Sequence, residues 1–283
     1  MAFKERFSPV SLEERLAEPP GERCAVYWLG QAGFVIDGKG CRVVIDPYLS
    51  DSLAAKYKGT RFPHLRMMPV PIEPGRIRHV DAVLATHAHT DHLDPGTLPS
   101  LLASNREAVL LVPRSAEQVA GDRGHVFAPR LRTIDAGETV RLNQSLKIVA
   151  TRAAHEELEQ DQNGFFKCLG LAIQLGETTV FHSGDTIPYQ GQPEEIGGLQ
   201  ADLALFPVNG RDEVRRSNGV PGNMTIKEAA DLAQKSGIPV VIAHHFDMFE
   251  FNTVKKEDIV KTAREYNDIR LLTAKIGVEY ALS

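Results

Sequence analysis

Residues 86–95 read T-H-A-H-T-D-H-L-D-P, and this stretch places three histidines and two aspartates within eight positions. It follows the apolar run V-D-A-V-L-A (residues 80–85), which predicts a short buried strand. On an extended chain His87 and His89 point to the same face, and Asp91 and His92 follow where a loop begins. Imidazole and carboxylate groups are the usual ligands of intermediate divalent metals, so the stretch predicts a metal site.

Four ligands in one loop suit two metal ions better than one, and two ions need further ligands from elsewhere in the chain. Three later segments that read as strands end on such residues, namely His155, Asp185 in H-S-G-D, and the pair His244 and His245. Strand ends at one edge of a sheet are where α/β enzymes assemble their sites, although a single residue of this kind is more often a turn or surface residue. The set therefore predicts one ion held by His87, His89 and His155, a second held by Asp91, His92 and His245, and Asp185 as a bridge.

Three aspartates have further predicted roles. Asp46 ends the strand C-R-V-V-I-D-P, where it either accepts a hydrogen bond from a metal-binding histidine or is an ordinary turn residue. Asp94 is expected to accept the N–H of a ligand histidine. Asp91 is predicted to act in catalysis as well, because its second oxygen can orient the nucleophile or carry a proton to the leaving group.

Strand and helix patterns alternate along the whole chain. The segments A-V-Y-W-L-G, G-F-V-I-D and C-R-V-V-I-D-P, separated by Q-A and G-K-G, predict an antiparallel β-meander. Residues 48–79 contain four prolines and little periodicity, so they predict a long loop that shapes a pocket. Capping-box pairs predict helices that begin after Ser11 and Thr225. Since no linker or short repeat is visible, a single domain over residues 1–283 is expected.

Composition narrows the class of protein. Of the 283 residues, 42% are hydrophobic and 24% charged, and the formal net charge of −5 argues against a broad basic surface for nucleic acid. No apolar run reaches the roughly 20 residues that cross a bilayer, and the N-terminal residues lack the apolar core of a signal peptide. The three cysteines form no C-x-x-C pair, so reduced thiols and a cytoplasmic location are expected. Both a monomer and a homo-oligomer remain open.

The order H-A-H-T-D-H, lone histidine, S-G-D and late strand-end histidine resembles the metallo-β-lactamase superfamily over nearly the whole chain. A narrower resemblance is to the branch that includes L-ascorbate 6-phosphate lactonase, through W-L-G-x-x-G, V-D-A-V-L-A-T-H-x-H-x-D-H, H-S-G-D, N-M-T (residues 223–225) and V-V-I-x-x-H (residues 240–245). The resemblance implies an α/β fold, an αββα four-layer sandwich of two mixed β-sheets with helices on the outer faces. It also implies two divalent ions, zinc or manganese.

The resemblance also bears on two of the ligands. His155 matches the superfamily in general, whereas the lactonase has an aspartate near that place, so the metal preference or the substrate could differ. The match of V-V-I-A-H-H favours His245 over His244 as the last ligand, which leaves His244 to support the site or shape the pocket.

Two divalent ions lower the pKa of a bridging water and polarise the bond that is attacked, so the constellation predicts a hydrolase. The resemblance favours a small ester or lactone, including the lactone of a phosphorylated sugar acid. The alternative enzyme is a phosphodiesterase acting on cyclic nucleotides or nucleic acid, and the non-enzymatic alternative is a metal-binding protein without turnover.

Three residues are predicted to bind the substrate because their loops are expected near the metal, namely Arg211, Tyr189 and Asn223. Arg211 lies in N-G-R-D-E-V-R-R with Arg215 and Arg216. Guanidinium groups match phosphate oxygens, so this loop either binds a phosphate or is an ordinary solvated charged loop.

Overall fold

The strands of the chain form two β-sheets, and each sheet belongs to one of two compact units. The structure is a computed structural model that describes residues 3–282. The predicted single domain over residues 1–283 includes residues 1, 2 and 283, which lie outside the described residues. Among the described residues, the first unit comprises residues 3–134, 248–251 and 275–282, and the second comprises residues 135–247 and 252–274.

The first unit contains an eight-stranded mixed sheet. Its strands are β1 (Phe3–Phe7), β2 (Cys24–Gly30), β3 (Gly33–Gly38), β4 (Cys41–Ile45), β5 (Ala82–Leu84), β6 (Val109–Pro113), β7 (Leu131–Ile134) and β15 (Val278–Leu282). They lie in the order β1-β15-β2-β3-β4-β5-β6-β7. Strands β2 to β4 form the predicted antiparallel meander, and β4 to β7 pair in parallel. Strand β1 was not expected from the sequence, because most of its residues are exposed at the sheet edge.

The described part of this unit also contains four helices, and all but the second contribute buried residues to its main core. They are α1 (Leu12–Ala17), α2 (Ser52–Lys56), α3 (Leu98–Ser104) and α4 (Glu117–Gly124), with 3-10 turns at Pro74–Arg76 and Arg114–Ala116. The predicted capping box of Ser11 and Glu14 begins α1. Alternate strand residues, among them Val35, Val44 and Val83, point to one face and join the buried leucines of α3 in the core of the unit.

The second unit contains a seven-stranded mixed sheet. Its strands are β8 (Thr139–Arg141), β9 (Leu146–Arg152), β10 (Leu169–Leu175), β11 (Thr178–His182), β12 (Leu203–Pro207), β13 (Val240–His244) and β14 (Arg270–Thr273), and its helices are α5 (Gln192–Gly197), α6 (Glu213–Arg216), α7 (Ile226–Lys235) and α8 (Lys256–Ala263). The sheet order is β14-β13-β12-β11-β10-β9-β8, with β8 to β11 antiparallel and β11 to β14 parallel. Thr225 and Glu228 form the predicted capping box at the start of α7.

Two mixed sheets with helices confirm the predicted α/β class. The two strands between residues 131 and 142 follow each other closely but belong to different sheets: β7 pairs in parallel with β6, and β8 pairs antiparallel with β9. The turn between β7 and β8, with Gly137 at a φ of +81°, is compatible with a hairpin and also with a connection from one sheet to the other. The local sequence therefore does not determine which strands β7 and β8 pair with. None of the helices described in residues 3–282 combines the length and apolarity needed to cross a membrane.

Candidate metal centre

The loop that follows β5 gathers its four predicted ligands in the first unit. The ring centroid of His87 lies 4.7 Å from that of His89 and 4.0 Å from that of His92. Nε2 of His92 lies 3.8 Å from Oδ2 of Asp91. Because β5 ends at Leu84, the two first histidines lie in the loop and not on the strand. Strand alternation is therefore the wrong reason for their proximity, which the loop backbone provides instead.

Asp46 sets the orientation of two of these histidines. Nδ1 of His92 lies 2.7 Å from Oδ2 of Asp46, and since a carboxylate only accepts, Nδ1 carries the ring proton. Thr86 donates its hydroxyl to the same oxygen at 2.7 Å, so the hydroxyl oxygen accepts from Nδ1 of His87 at 3.1 Å. In both rings Nε2 is therefore the nitrogen with the lone pair that a metal needs. Of the two interpretations of Asp46, the structure confirms the one in which it supports a histidine.

Asp94 does not support a histidine, so that prediction is wrong. Its Oδ1 accepts hydrogen bonds from the hydroxyls of Ser50 and Ser52 and from the N–H of Gly96, and its Oδ2 accepts from the hydroxyl of Thr97. The residue lies just before α3, where backbone N–H groups need acceptors, and these close neighbours take up the carboxylate.

Two residues outside the predicted site, Gln31 and Arg123, hold this loop in place. Gln31 donates from Nε2 to Oδ2 of Asp91 at 2.9 Å. Nη1 of Arg123 donates to the carbonyl oxygens of Ala88 at 2.7 Å and Leu93 at 3.0 Å, and burial lowers the pKa of this guanidinium. A polar amide in the otherwise apolar turn W-L-G-Q-A-G was a signal that could have found Gln31. Arg123 carries no comparable signal, because it is an ordinary basic residue near the end of α4.

The second unit brings its three predicted ligands around one carboxylate. Oδ2 of Asp185 lies 3.2 Å from Nε2 of His245 and 3.8 Å from Nε2 of His155, and the three side chains are at most 7% exposed. Asp185 follows β11 and His245 follows β13. Both lie at the carboxyl edge of the parallel strands, where α/β sheets place functional residues. His155 follows β9 and forms an isolated bridge with Glu157.

His244 lies apart from this arrangement. It is completely buried at the end of β13, and its ring centroid lies 5.0 Å from that of His182. Burial, reinforced by His182, lowers its pKa well below the usual value, so the ring is neutral at pH 7. Across residues 3–282, the histidine and aspartate groups that could hold a metal ion are made up of His87, His89, Asp91, His92, His155, Asp185 and His245.

The three residues predicted to bind substrate are engaged with protein groups of the second unit. Arg211 donates two hydrogen bonds to the carboxylate of Glu228, at 2.6 and 2.7 Å. The hydroxyl of Tyr189 donates to the carbonyl oxygen of Arg152 at 2.9 Å, and burial raises the pKa of this tyrosine. Asn223 is completely buried. Contact of these side chains with a substrate stays a prediction.

The arginines expected to bind phosphate are each paired with an acidic residue. Arg211 pairs with Glu228, and Arg216 pairs with Glu213 at 2.7 Å on an exposed surface. Arg215 is 9% exposed and pairs with Asp212. The structure therefore shows a charged segment, with Arg211 before α6 and Arg215 and Arg216 on it, whose cations are balanced by neighbouring carboxylates.

The chain is similar in sequence to a known protein family and to named relatives. A family model described as a beta-lactamase superfamily domain matches residues 41–246. The chain is 25% identical over 243 residues to a metal-dependent hydrolase of Metallosphaera sedula, which covers 85% of this chain and 92% of the relative.

Two solved structures share the fold at low sequence identity. The isothiocyanate hydrolase from Delia radicum gut bacteria has a TM-score of 0.73 at 17% identity, covering 92% of this chain and 99% of that chain. A metallo-β-lactamase fold protein from Bacillus subtilis has a TM-score of 0.62 at 16% identity, covering 92% of this chain and 100% of that chain. The fold expected from the sequence is thereby confirmed, and since the family model spans well over half of the residues, the chain belongs to the metallo-β-lactamase superfamily.

Proposed function

We propose that this metal-dependent hydrolase of the metallo-β-lactamase superfamily cleaves a small ester or lactone with two divalent ions, zinc or manganese. In this proposal His87, His89 and His155 hold one ion, Asp91, His92 and His245 hold the second, and Asp185 binds both. We also propose that residues 1–283 act as a single hydrolase domain. The carrying observation is that each unit gathers buried imidazole and carboxylate groups in one place.

The side chains present fit a divalent metal. The set comprises five histidines and two aspartates and no cysteine, a composition that suits catalytic zinc or manganese better than a closed structural site. In the first unit Asp46 and Thr86 leave Nε2 of His92 and His87 as the coordinating nitrogens. In the second unit Nε2 of both histidines faces Asp185. This orientation of the ring nitrogens supports the proposed ligand set.

Ions bound by these groups would supply a nucleophile near neutral pH and polarise the carbonyl group that is attacked. Asp91 would orient the attacking group or carry a proton to the leaving group. Its side chain is 17% exposed, whereas that of His92 is fully buried, so the carboxylate is the part of the pair that a substrate can reach.

The resemblance to the lactonase branch supports a lactone, including one that carries a phosphate. We propose that Arg211, Tyr189 and Asn223 contact this substrate. The Arg211 side chain is 36% exposed, so a phosphate could approach it while its pair with Glu228 is kept. We also propose a cytoplasmic location, because the three cysteines are few, widely spaced and buried.

A substrate panel tests the proposal. Lactones, sugar-phosphate lactones, thioesters and cyclic nucleotides are offered to protein loaded with Zn²⁺ or Mn²⁺, and the bound metal is counted by mass spectrometry. We expect two ions per chain, turnover of a lactone or ester, and loss of turnover on chelation. A preference for phosphodiesters over every lactone would overturn the substrate class, and bound metal without any turnover would favour a metal-binding protein.

Variants separate the ligands from the rest of the chain. His87→Ala and Asp185→Ala are expected to abolish turnover with the fold kept, as judged by circular dichroism. His125→Ala removes an exposed histidine of the first unit and is the matched control, with activity expected to match the wild type. Near-normal activity of either ligand variant would show that the dinuclear assignment is wrong.

A further inference from the structure

We propose that Gln31 is a positioning residue that orients the Asp91 carboxylate and thereby sets the affinity for the second ion, the one assigned to Asp91, His92 and His245. The inference rests on the proposed dinuclear site and adds to it a residue outside the ligand set. It concerns a contact within the first unit, between the turn that joins β2 to β3 and the loop that follows β5.

The contact itself is direct, and the donating side chain is buried. Nε2 of Gln31 lies 2.9 Å from Oδ2 of Asp91, and Gln31 is completely buried. A carboxylate has no hydrogen to give, so the amide must donate in this bond. The same Oδ2 lies 3.8 Å from Nε2 of His92. The amide thus holds the oxygen of Asp91 that lies nearest to the metal-facing nitrogen of its partner ligand.

The turn that carries Gln31 is held firmly. Gln31 has a φ of +48°, a left-handed conformation that an L-residue keeps only when its surroundings impose it. Its carbonyl oxygen accepts a hydrogen bond from Nε1 of Trp28 at 3.0 Å, and this indole is 2% exposed. Because the Gln31 side chain is completely buried, its rotamers are already restricted by its surroundings, so the amide is well suited to hold a carboxylate in one orientation.

Asp46, the residue that supports the other ligand, His92, lies close to the residue that follows this turn. Gly33, the first residue of β3 after this turn, lies close to Asp46: a Cβ atom added to Gly33 would lie 3.1 Å from the carbonyl oxygen of Asp46. Asp46 in turn holds Nδ1 of His92. Of the two ligands that the first unit gives to the second ion, Asp91 is held by Gln31 and His92 is held by Asp46. Outer partners of metal ligands typically change metal affinity or activity about 10–100-fold when they are removed.

Cobalt titration followed by visible absorption tests the inference, because it reports on each ion without substrate turnover. Gln31→Met keeps the length of the side chain and removes the donor, whereas Gln31→Glu keeps the length and puts an acceptor in its place. In both variants we expect the first Co²⁺ to bind as in wild type and the second to bind about 10–100-fold more weakly. If one of these two variants does not fold, the other still tests the inference.

The matched control is Asn105→Ala, which removes another buried amide of the first unit. Nδ2 of Asn105 donates to the carbonyl oxygens of Ile77 and Leu101, and none of these residues is in the proposed ligand set. We expect this variant to lower the midpoint of unfolding and to leave both cobalt affinities unchanged. An equal loss of cobalt affinity in Asn105→Ala would mean that Gln31 acts only through stability, which overturns the positioning role.

The two proposals fail in different ways. A wild-type chain that binds a single Co²⁺ would refute the dinuclear site and the role of Gln31 together. A wild-type chain that binds two ions, with unchanged affinities in the folded Gln31 variants, would refute only the role of Gln31.

Discussion

Replacing Asp46 by asparagine tests how strongly one buried carboxylate controls the metal-binding histidines. Asp46 is completely buried and accepts three hydrogen bonds, from the N–H of Thr86 at 2.8 Å, from the Thr86 hydroxyl at 2.7 Å and from Nδ1 of His92 at 2.7 Å. An asparagine keeps one acceptor oxygen, but its NH₂ group cannot accept the other two donors. Asp46 has a φ of +47°, and asparagine tolerates this conformation as well as aspartate does, so backbone strain does not enter the comparison.

Two donors, the Thr86 hydroxyl and Nδ1 of His92, lose the acceptor Oδ2 in the variant, and they determine the loss of stability. A stranded buried donor costs about 1–3 kcal/mol, and because the Thr86 hydroxyl can rotate, we expect the free energy of unfolding to fall by about 2–4 kcal/mol. His92 can relieve the conflict by moving its proton to Nε2, the nitrogen assigned to the ion. We therefore expect metal affinity to fall about 10–100-fold, which corresponds to about 1.4–2.8 kcal/mol of binding free energy.

Competition with a chromogenic chelator measures the affinity for Zn²⁺ and Mn²⁺, and denaturant titration of the metal-free protein measures stability. Asp94→Asn is the matched control, since Asp94 is also completely buried but holds hydroxyl and backbone groups and no histidine. It should lower stability and leave metal affinity within about twofold of wild type. The reasoning is refuted if Asp46→Asn keeps wild-type metal affinity, or if both variants lose affinity equally.

Three further predictions concern other parts of the chain. Arg123→Met removes the donors to two carbonyl oxygens of the loop 86–95 and is expected to lower the free energy of unfolding by about 2–4 kcal/mol; an unchanged denaturation midpoint would contradict this. Burial disfavours the charge of Glu228, but the hydrogen bonds from Arg211 and from the cap of α7 outweigh burial and lower the pKa of this carboxyl below 4.5. The carboxylate therefore stabilises the fold at neutral pH, and this stabilisation is lost as the pH falls through the folded pKa. Glu228→Gln should therefore cost about 0.5–1 kcal/mol at pH 7, the modest value of a partly exposed pair, and less at pH 3, and an equal cost at both pH values would count against the assignment. Metal at 100 times its dissociation constant should stabilise the wild type by about 2.7 kcal/mol. Chelation should therefore lower the melting temperature of the wild type more than that of Asp185→Ala. Equal shifts in melting temperature would argue against a metal bound at Asp185.

Features that depend on neighbours a few residues apart were readable in the sequence. The capping boxes at Ser11 and Thr225 exist as predicted, because their hydrogen bonds join residues three positions apart. The β-meander formed because its short turns leave adjacent strands few other partners. The spacing of His87, His89, Asp91 and His92 likewise gathers these side chains in one loop.

Features that depend on distant partners were decided by the tertiary structure. Asp46 and Asp94 each precede a proline in the sequence, yet Asp46 supports His92, which lies 46 positions away, while Asp94 serves the start of α3. Gln31 meets Asp91 across 60 positions. Such contacts leave no periodic pattern in the sequence, since neither partner constrains the residues next to it. Spacing and periodicity along the chain indicate the candidate metal-binding residues and most of the strands and helices that carry them. The fold decides which carboxylates and amides hold those residues in place, because that depends on which strand ends meet.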